Sequence, residues 1–192
     1  MERKEPILLV KRYIGFAVLI ALVLTYGLAA YERNFVWKDE VTFWSDVIKK
    51  SPDKARPYNN LGRAYLTNKA FMQAIPFLKE ALRLNPYFSY AHYNLGIAYQ
   101  GTGLCDEAIT EYKKALYDAR QTYFADVHNN MGVCYFIKGR EDVAVGEFKK
   151  AIEINPYFSN AHFNLGTAYR SMGLSAPAKE QAKKAEGLEK NK

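Results

Sequence analysis

The pattern of hydrophobic and polar positions divides the chain into two parts. Residues 13–31, YIGFAVLIALVLTYGLAAY, form a run of nineteen residues without a charged side chain. From about residue 40 onward, apolar residues recur at helical spacing and are separated by charged and polar ones, which is typical of amphipathic helices. The sequence therefore predicts an all-α protein in which one uniformly apolar helix precedes a series of packed helices.

The apolar run has the length of a membrane span. At about 1.5 Å per residue, nineteen residues of helix extend roughly 28 Å, close to the ~30 Å hydrocarbon core of a bilayer. Tyr13, Tyr26 and Tyr31 lie toward its ends, where interfacial aromatic rings are favoured. A cleaved signal peptide is the alternative, because the start is basic and small residues lie near the end of the run. The run is nevertheless longer than the usual ~7–15 apolar residues of a signal peptide.

Basic residues ahead of the span predict its orientation. Arg3, Lys4, Lys11 and Arg12 precede the run, and Lys and Arg are enriched on the cytoplasmic side of membrane spans. Residues 1–12 are therefore predicted to be cytoplasmic, and residues 13–31 to cross the membrane once. Everything from residue 32 onward is predicted to lie on the non-cytoplasmic, periplasmic side.

A fixed period runs through the amphipathic part. Leu-Gly or Met-Gly pairs recur with their glycines at Gly62, Gly96, Gly132 and Gly166, at intervals of 34, 36 and 34 residues. A tyrosine follows three residues after each glycine, and alanines follow twelve and nineteen residues after it. A period near 34 predicts units that stack on one another, because one unit cannot bury its apolar face alone.

This framework resembles the tetratricopeptide repeat family, whose unit is a pair of antiparallel helices. The resemblance implies a right-handed α-solenoid of four helix pairs over residues 55–192, with units 55–88, 89–124, 125–158 and 159–192. The second unit has two extra residues and lacks the closing proline that the first and third units have at Pro86 and Pro156. Residues 32–54 are predicted to form a linking helix that caps the first unit.

Composition narrows the functional classes. The net charge is +7, but the basic residues are scattered and interleaved with acids, which favours solvated helix faces over nucleic-acid binding. Cys105 and Cys134 lack metal-ligand spacing, and either a disulfide or simple packing is compatible with them. No motif for nucleotide, metal or nucleophilic chemistry occurs, so we expect no enzymatic activity, no cofactor and no metal. Histidines at one repeat position, His92, His128 and His162, are interpreted as packing residues.

Binding residues are expected on the first helix of each unit. The residue before each Leu-Gly or Met-Gly pair is asparagine, and these four positions form the asparagine column, which resembles the column that lines the inner groove of peptide-binding family members. An amide bonding within its own turn, or to water, is the equally weighted alternative. The candidate peptide-binding residues are Asn60, Asn94, Asn130, Asn164, Arg56, Arg63, Tyr93, Phe136, Phe163 and Arg170.

A second resemblance concerns the junction between the apolar run and the first unit. The passage WKDEVTFWSDVIKKSP leading into RPYNNLGRAY is similar to the junction in multi-span, glycosyltransferase-type membrane proteins that carry these repeats after their last span. The sequence thus favours a membrane-anchored scaffold that binds a protein or peptide in its groove. An accessory role beside a membrane glycosyltransferase and self-association through the end units are the alternatives.

Overall fold

A computed structural model describes residues 5–36, 39–117 and 124–190, with side chains described in 13–31, 39–117 and 124–190. These residues are helical apart from the turns and short connections between helices. Arg3, Lys4 and the extra residues of the second unit within 118–123 lie outside the described residues. The helices are α1 (Glu5–Val36), α2 (Glu40–Lys50), α3 (Ala55–Thr67), α4 (Phe71–Leu84), α5 (Ser89–Gly101), α6 (Cys105–Ala115), α7 (Phe124–Ile137), α8 (Glu141–Ile154), α9 (Ser159–Ser171) and α10 (Ser175–Glu189).

Helix α1 contains the apolar run and stands apart from the repeat units. Its segment Tyr13–Tyr31 is long and apolar enough to cross a membrane, and none of it is buried. Among the described helices, α1 contacts only α2. A signal sequence near an N-terminus would also be long and apolar enough by this criterion. The segment therefore exposes an apolar surface that requires a lipid or protein environment.

Each of the first three repeat units is a pair of helices that approach closely at a glycine. A Cβ atom added to Gly62 would lie 2.5 Å from Leu78 Cγ, and one added to Gly132 would lie 2.5 Å from Phe148 Cε1. The second unit repeats this contact between Gly96 and Tyr112. The large side chain on the second helix thus fills the space that the glycine leaves open on the first. The glycine column therefore fixes the spacing of the two helices within a unit.

The hydrophobic core lies at the junctions between units. One buried cluster joins α4 to α5 through Leu78 and Leu95, and another joins α8 to α9 through Phe148 and Leu165. The largest cluster joins α6 to α7 and contains Tyr112. Each unit therefore uses the next one to bury its second helix, and helix α2 contacts α3 as a second helix of a preceding unit would.

The stack is curved, with the first helices on the inside. Among the described residues, α3, α5, α7 and α9 contact one another in sequence, whereas the second helices α4, α6, α8 and α10 do not contact one another. Helices that converge on one side and separate on the other must form a curved stack. The first helices therefore line the concave face, and open crevices separate the second helices on the convex side.

The turn within each unit requires a left-handed residue. Gly103, Gly139 and Gly173 have φ values of 81°, 69° and 76°, and the residue after each donates its N–H to the carbonyl of the repeat tyrosine. Unit 1 makes the same turn with Lys69, whose φ is 56°. A side chain in this region is strained, because its Cβ approaches the following carbonyl oxygen.

We expect Lys69→Gly to stabilise the protein by about 1 kcal/mol, since glycine adopts this conformation without steric cost. The reciprocal Gly103→Lys is expected to cost a similar amount, because open space surrounds Gly103 and only its backbone conformation resists a side chain. Urea denaturation of the two variants measures both effects. Equal midpoints for the two variants would contradict this account of the turn.

Candidate functional site

The structure places the sequence-predicted binding residues on the first helices, α3, α5, α7 and α9. Phe163 is 62% exposed, and Arg56 and Arg170 are also exposed. Tyr93 and Phe136 are half-buried and pack against core clusters. The predicted set therefore shares the concave side of the stack but divides into residues that face solvent and residues that support the junctions.

The asparagine column makes hydrogen bonds between units. Asn94 is 6% exposed, and its Nδ2 donates to Asn59 Oδ1 at 2.9 Å. Asn164 makes the same bond to Asn129 Oδ1 at 2.8 Å. These amide pairs link α3 to α5 and α7 to α9. An amide N–H used in this way contributes to the stacking of units. The sequence interpretations considered only peptide binding and a hydrogen bond within the same turn or to water.

Asn60 and Asn130 occupy the other two positions of the column and are half-buried. Each accepts a 3.3 Å hydrogen bond from the preceding asparagine, Asn59 or Asn129. Asn59 and Asn129 are buried and were not among the candidate peptide-binding residues. The signal that identifies them is alternation: the position before the column is occupied in turn by Asn59, Tyr93, Asn129 and Phe163.

The middle junction uses a tyrosine where the outer two use asparagine. Burial raises the pKa of Tyr93 to about 12, with a further contribution from the Asp126 carboxylate, while a hydrogen bond with Asn130 opposes the shift. The Tyr93 ring lies 6.2 Å from the Tyr112 ring, centroid to centroid. Burial also raises the pKa of Asp126. The concave face therefore has a desolvated aromatic centre between two amide-linked pairs of units.

Arg63 is oriented by the linking helix. Its guanidinium Nη2 lies 3.5 Å from Glu40 Oε2, with both side chains more than half exposed. An exposed pair of this kind contributes little to stability. Arg63 therefore remains accessible at the end of the concave face that is nearest to α1.

The histidine column connects the loop between units to the second helix. His92 Nδ1 lies 2.6 Å from Glu111 Oε2, and its Nε2 lies 2.9 Å from the Pro86 carbonyl oxygen. Both ring nitrogens of His92 thus face acceptor oxygens, and each nitrogen donates only when it carries a proton. His162 makes the equivalent contacts with Gln181 and Pro156 at 2.7 and 3.0 Å. These rings act in packing and loop attachment, as the sequence interpretation held.

No metal centre is formed by these groups. Within the part of the chain that the structure describes, no three His, Cys, Asp or Glu side chains converge as a metal site requires. Cys105 and Cys134 are free, buried thiols in the same core cluster. Burial and the hydrogen bond with Cys105 raise the pKa of the Cys134 thiol, so it is a poor nucleophile in the folded state.

Because of the carboxyls of Glu111 and Glu147, we expect the free energy of unfolding to decrease at acid pH. We call this decrease the acid limb of the stability profile. Burial raises the pKa of each carboxyl, but hydrogen bonds lower it by more, so both pKa values lie below the ordinary 4.5. The partners are His92 and Lys114 for Glu111, and His128 and Lys150 for Glu147. A lowered folded-state pKa contributes stability above the unfolded-state pKa, and that stability is lost as pH falls through the folded value. We expect stability to fall as the pH drops below about 4.5.

The double variant Glu111→Gln/Glu147→Gln is expected to flatten this acid limb, as measured by urea denaturation across pH. Glu180→Gln is the control. The Glu180 carboxyl is exposed, and its pKa is lowered by its hydrogen bond with Lys184. An exposed pair of this kind contributes little to stability. An acid limb that is unchanged in the double variant would show that the two buried carboxyls do not produce it.

Family models support the repeat assignment. Models described as tetratricopeptide repeat match residues 55–88 and 89–118, 125–158 and 147–185. The crystal structure of MamA superposes with a TM-score of 0.70 and 29% identity, over 79% of this chain and 87% of that one. PilF of Pseudomonas aeruginosa superposes with a TM-score of 0.72 over 88% of this chain and 75% of that one, but its 15% identity indicates the fold alone.

Curated relatives match over shorter segments. Protein O-mannosyl-transferase TMTC3 of Homo sapiens is 28% identical over 102 residues, 53% of this chain and 11% of that protein. Heat shock protein STI1 of Saccharomyces cerevisiae is 39% identical over 59 residues, 31% of this chain and 10% of that protein. The chain thus spans about a tenth of the length of these relatives. With its matched models, paired helices and curved stack, the chain belongs to the tetratricopeptide repeat family.

Proposed function

We propose that this protein is a membrane-anchored scaffold that binds a protein or peptide partner along its concave face. The observation that carries the proposal is the exposed surface of α9. Phe163 and Arg170 are seven residues apart on this helix and therefore lie on the same side of it, and both are exposed. Phenylalanine and arginine are both enriched in protein interfaces relative to the rest of the surface.

The division of roles within the concave face sharpens this proposal. Asn94 and Asn164 use their amide N–H groups to link units, so we expect the aromatic and cationic side chains to contribute most of the partner affinity. The partly exposed asparagines then contribute orientation through their remaining polar atoms. Replacing the whole asparagine column would change stability as well as binding, and it is therefore a poor test of the site.

Anchoring is proposed through the apolar segment of α1. None of Tyr13–Tyr31 is buried against the repeat units, and a nineteen-residue apolar helix matches a bilayer core. Retention of this segment would hold the repeat units within a short distance of the membrane surface. Extraction at alkaline pH tests this point: the full chain should stay with the membrane pellet, and release into the supernatant would indicate that no span is retained.

The test of the concave site is partner capture by the full chain in membranes. We expect Phe163→Ala/Arg170→Ala to reduce the amount of crosslinked partner at least ~10-fold, in line with the ~1.4 kcal/mol or more that a central interface residue contributes. The matched control is Met72→Ala, which removes a 67% exposed apolar side chain from α4 on the other side of the stack. Undiminished capture by the double variant would exclude this use of the concave face.

A second function is favoured by the relatives named O-mannosyl-transferase. A chain similar to their repeat region, anchored beside such an enzyme, would present substrates to it or hold it in an assembly. The proposal predicts that a multi-span glycosyltransferase co-purifies with the full chain from detergent-solubilised membranes. A partner set without such an enzyme would favour a scaffold that is unconnected with sugar transfer.

A further inference from the structure

The convex side carries two crevices that the concave-face proposal does not use. We name them outer crevice 1, which lies over α5 between α4 and α6, and outer crevice 2, which lies over α9 between α8 and α10. Their volumes are about 860 and 470 Å³, within the range of ~300–1,000 Å³ that is typical of ligand sites. They exist because the curved stack separates the second helices.

The two crevices are built from the same residues, 70 positions apart. Pro86, Tyr87 and Lys114 line outer crevice 1, and Pro156, Tyr157 and Lys184 line outer crevice 2 at the same places. Each crevice also contains the histidine that binds the proline carbonyl. A repeat period of 34 residues alone does not produce this match, since the intervening unit has 36 residues. The match therefore relates the first two units to the last two, and each of these two crevices lies within one such pair.

An exposed tyrosine stands at the edge of each crevice. Tyr87 is 91% exposed and Tyr157 is 77% exposed. Their backbones are nonetheless held, because each tyrosine N–H donates to the side chain of the asparagine two residues earlier, Asn85 or Asn155, at 3.1 Å. An aromatic ring that is held at its backbone and left in solvent contributes nothing to the core. It provides a preorganised contact for a partner.

Each crevice has an apolar floor and a lysine over a tyrosine ring at or near its edge, whereas its other lysine, Lys114 or Lys184, is paired with Glu111 or Glu180. Lys79 Nζ lies 5.8 Å from the centre of the Tyr99 ring in outer crevice 1, and Lys149 Nζ lies 6.0 Å from the Tyr169 ring beside outer crevice 2. Leu82 and Leu95 line the first crevice, and Ile152 lines the second. Glu111, the carboxyl inside the first crevice, bonds to His92 and Lys114, which leaves Lys79 as the cation for a ligand there. A ligand with an apolar side chain between carboxylates is complementary to this surface.

We propose that the two outer crevices bind an acidic, aromatic-containing peptide that carries its recognition element twice. Each element places one apolar side chain in the crevice against the exposed tyrosine, while its carboxylates approach the lysines at the edge. Two matched crevices on one stack favour a ligand that repeats, because the second contact is then intramolecular. This site is separate from the concave face and adds a second partner surface to the scaffold.

The experiment measures fluorescence anisotropy with the full chain in phosphatidylcholine nanodiscs. The probe is a labelled peptide that alternates glutamate and phenylalanine, compared with a tandem of two such segments joined by a Gly-Ser linker. We expect the tandem to bind about 10²-fold or more tightly than the single segment. Tyr87→Ser and Tyr157→Ser are each expected to reduce tandem affinity to that of the single segment, and a peptide with lysine in place of glutamate is expected not to bind.

The control variant is Phe163→Ser, which removes an exposed aromatic ring from the concave face and should leave tandem binding unchanged. Tandem binding that is lost in this variant and retained in Tyr87→Ser would place the peptide on the concave face and overturn the proposal. Equal affinities of the single and tandem peptides would also overturn it. So would a full chain that binds neither peptide and associates only with phosphatidylglycerol vesicles. None of these results depends on partner capture by Phe163 and Arg170.

Discussion

Gly132→Ala is expected to destabilise the protein by about 1–3 kcal/mol, the range observed when an extra group is forced into a packed core. The added Cβ would lie 2.5 Å from Phe148 Cε1 and 2.7 Å from Cδ1. Phe148 is 1% exposed, so its ring cannot move aside without disturbing α8 and the junction to α9. The measurement is the urea-denaturation midpoint, followed by far-ultraviolet circular dichroism.

Two glycines provide matched controls for this variant. Gly146 lies within α8, and a Cβ added there would meet nothing within 4 Å, so Gly146→Ala should stabilise the protein by about 0.5–1 kcal/mol through helix propensity. Gly166→Ala should fall between the two, because its nearest neighbour is the Ala178 carbonyl oxygen at 3.2 Å. A Gly132→Ala variant as stable as Gly146→Ala would show that close approach at the glycine column does not constrain the packing of the two helices within a unit.

His92→Ala is expected to cost about 3 kcal/mol, because it removes one hydrogen-bond partner from the buried Glu111 carboxylate and one from the Pro86 carbonyl. The Glu111 side chain is 12% exposed and would retain only Lys114, while the Pro86 carbonyl would lose its donor. The same substitution at His162 should cost about half as much, since Gln181 is neutral and less costly to leave unpaired. Urea denaturation of the two variants measures the difference.

The variant Glu111→Gln removes the charge of this side chain but keeps a hydrogen-bond acceptor for His92, so it measures the two contributions to stability separately. The chain already uses glutamine at the equivalent position, Gln181, to bind His162, so we expect Glu111→Gln to cost less than about 1 kcal/mol and Glu111→Ala to cost more. If His92→Ala and His162→Ala are equally destabilising, the ion pair adds nothing beyond the neutral hydrogen bond.

The helix pairs were predictable from the sequence because their cause is local. A small residue at Gly62 or Gly132 must meet a large one on the helix that follows, and this relation recurs at a fixed spacing. The turn glycines Gly103, Gly139 and Gly173 likewise have a local cause, because each lies between two amphipathic segments and adopts a positive φ. The all-α solenoid followed from these two features, and the structure and the family models confirm it.

The use of the asparagine column was not predictable, because the partner of each amide lies in another unit. Asn94 binds Asn59, 35 residues earlier, and this contact depends on the curvature that brings the first helices together. The histidine contacts were within reach of sequence reasoning. His92 and Glu111 are separated by 19 residues, the same interval as His162 and Gln181. A search for polar pairs that recur at the same interval in successive units would have found them.

The string NPYFS occurs twice, at residues 85–89 and 155–159, and the structure shows what its residues contact. Its asparagine side chain holds the tyrosine backbone, its proline carbonyl accepts from the histidine of the next helix, and its tyrosine ring is exposed. Because these groups lie on the convex side, the duplication concerns the outer crevices. The concave face is lined by a different set of residues, and Phe163 and Arg170 are among its exposed members.

Photocrosslinking in intact membranes tests the central proposal most directly. A photoreactive benzoylphenylalanine at position 163 lies on the concave face, and one at position 72 lies on α4 outside it. The account predicts a discrete crosslinked partner from position 163 that is absent from position 72 and is lost when Arg170 is replaced by alanine. Position 163 yielding no adduct, or the same adducts as position 72, would contradict the proposal that the concave face binds the partner.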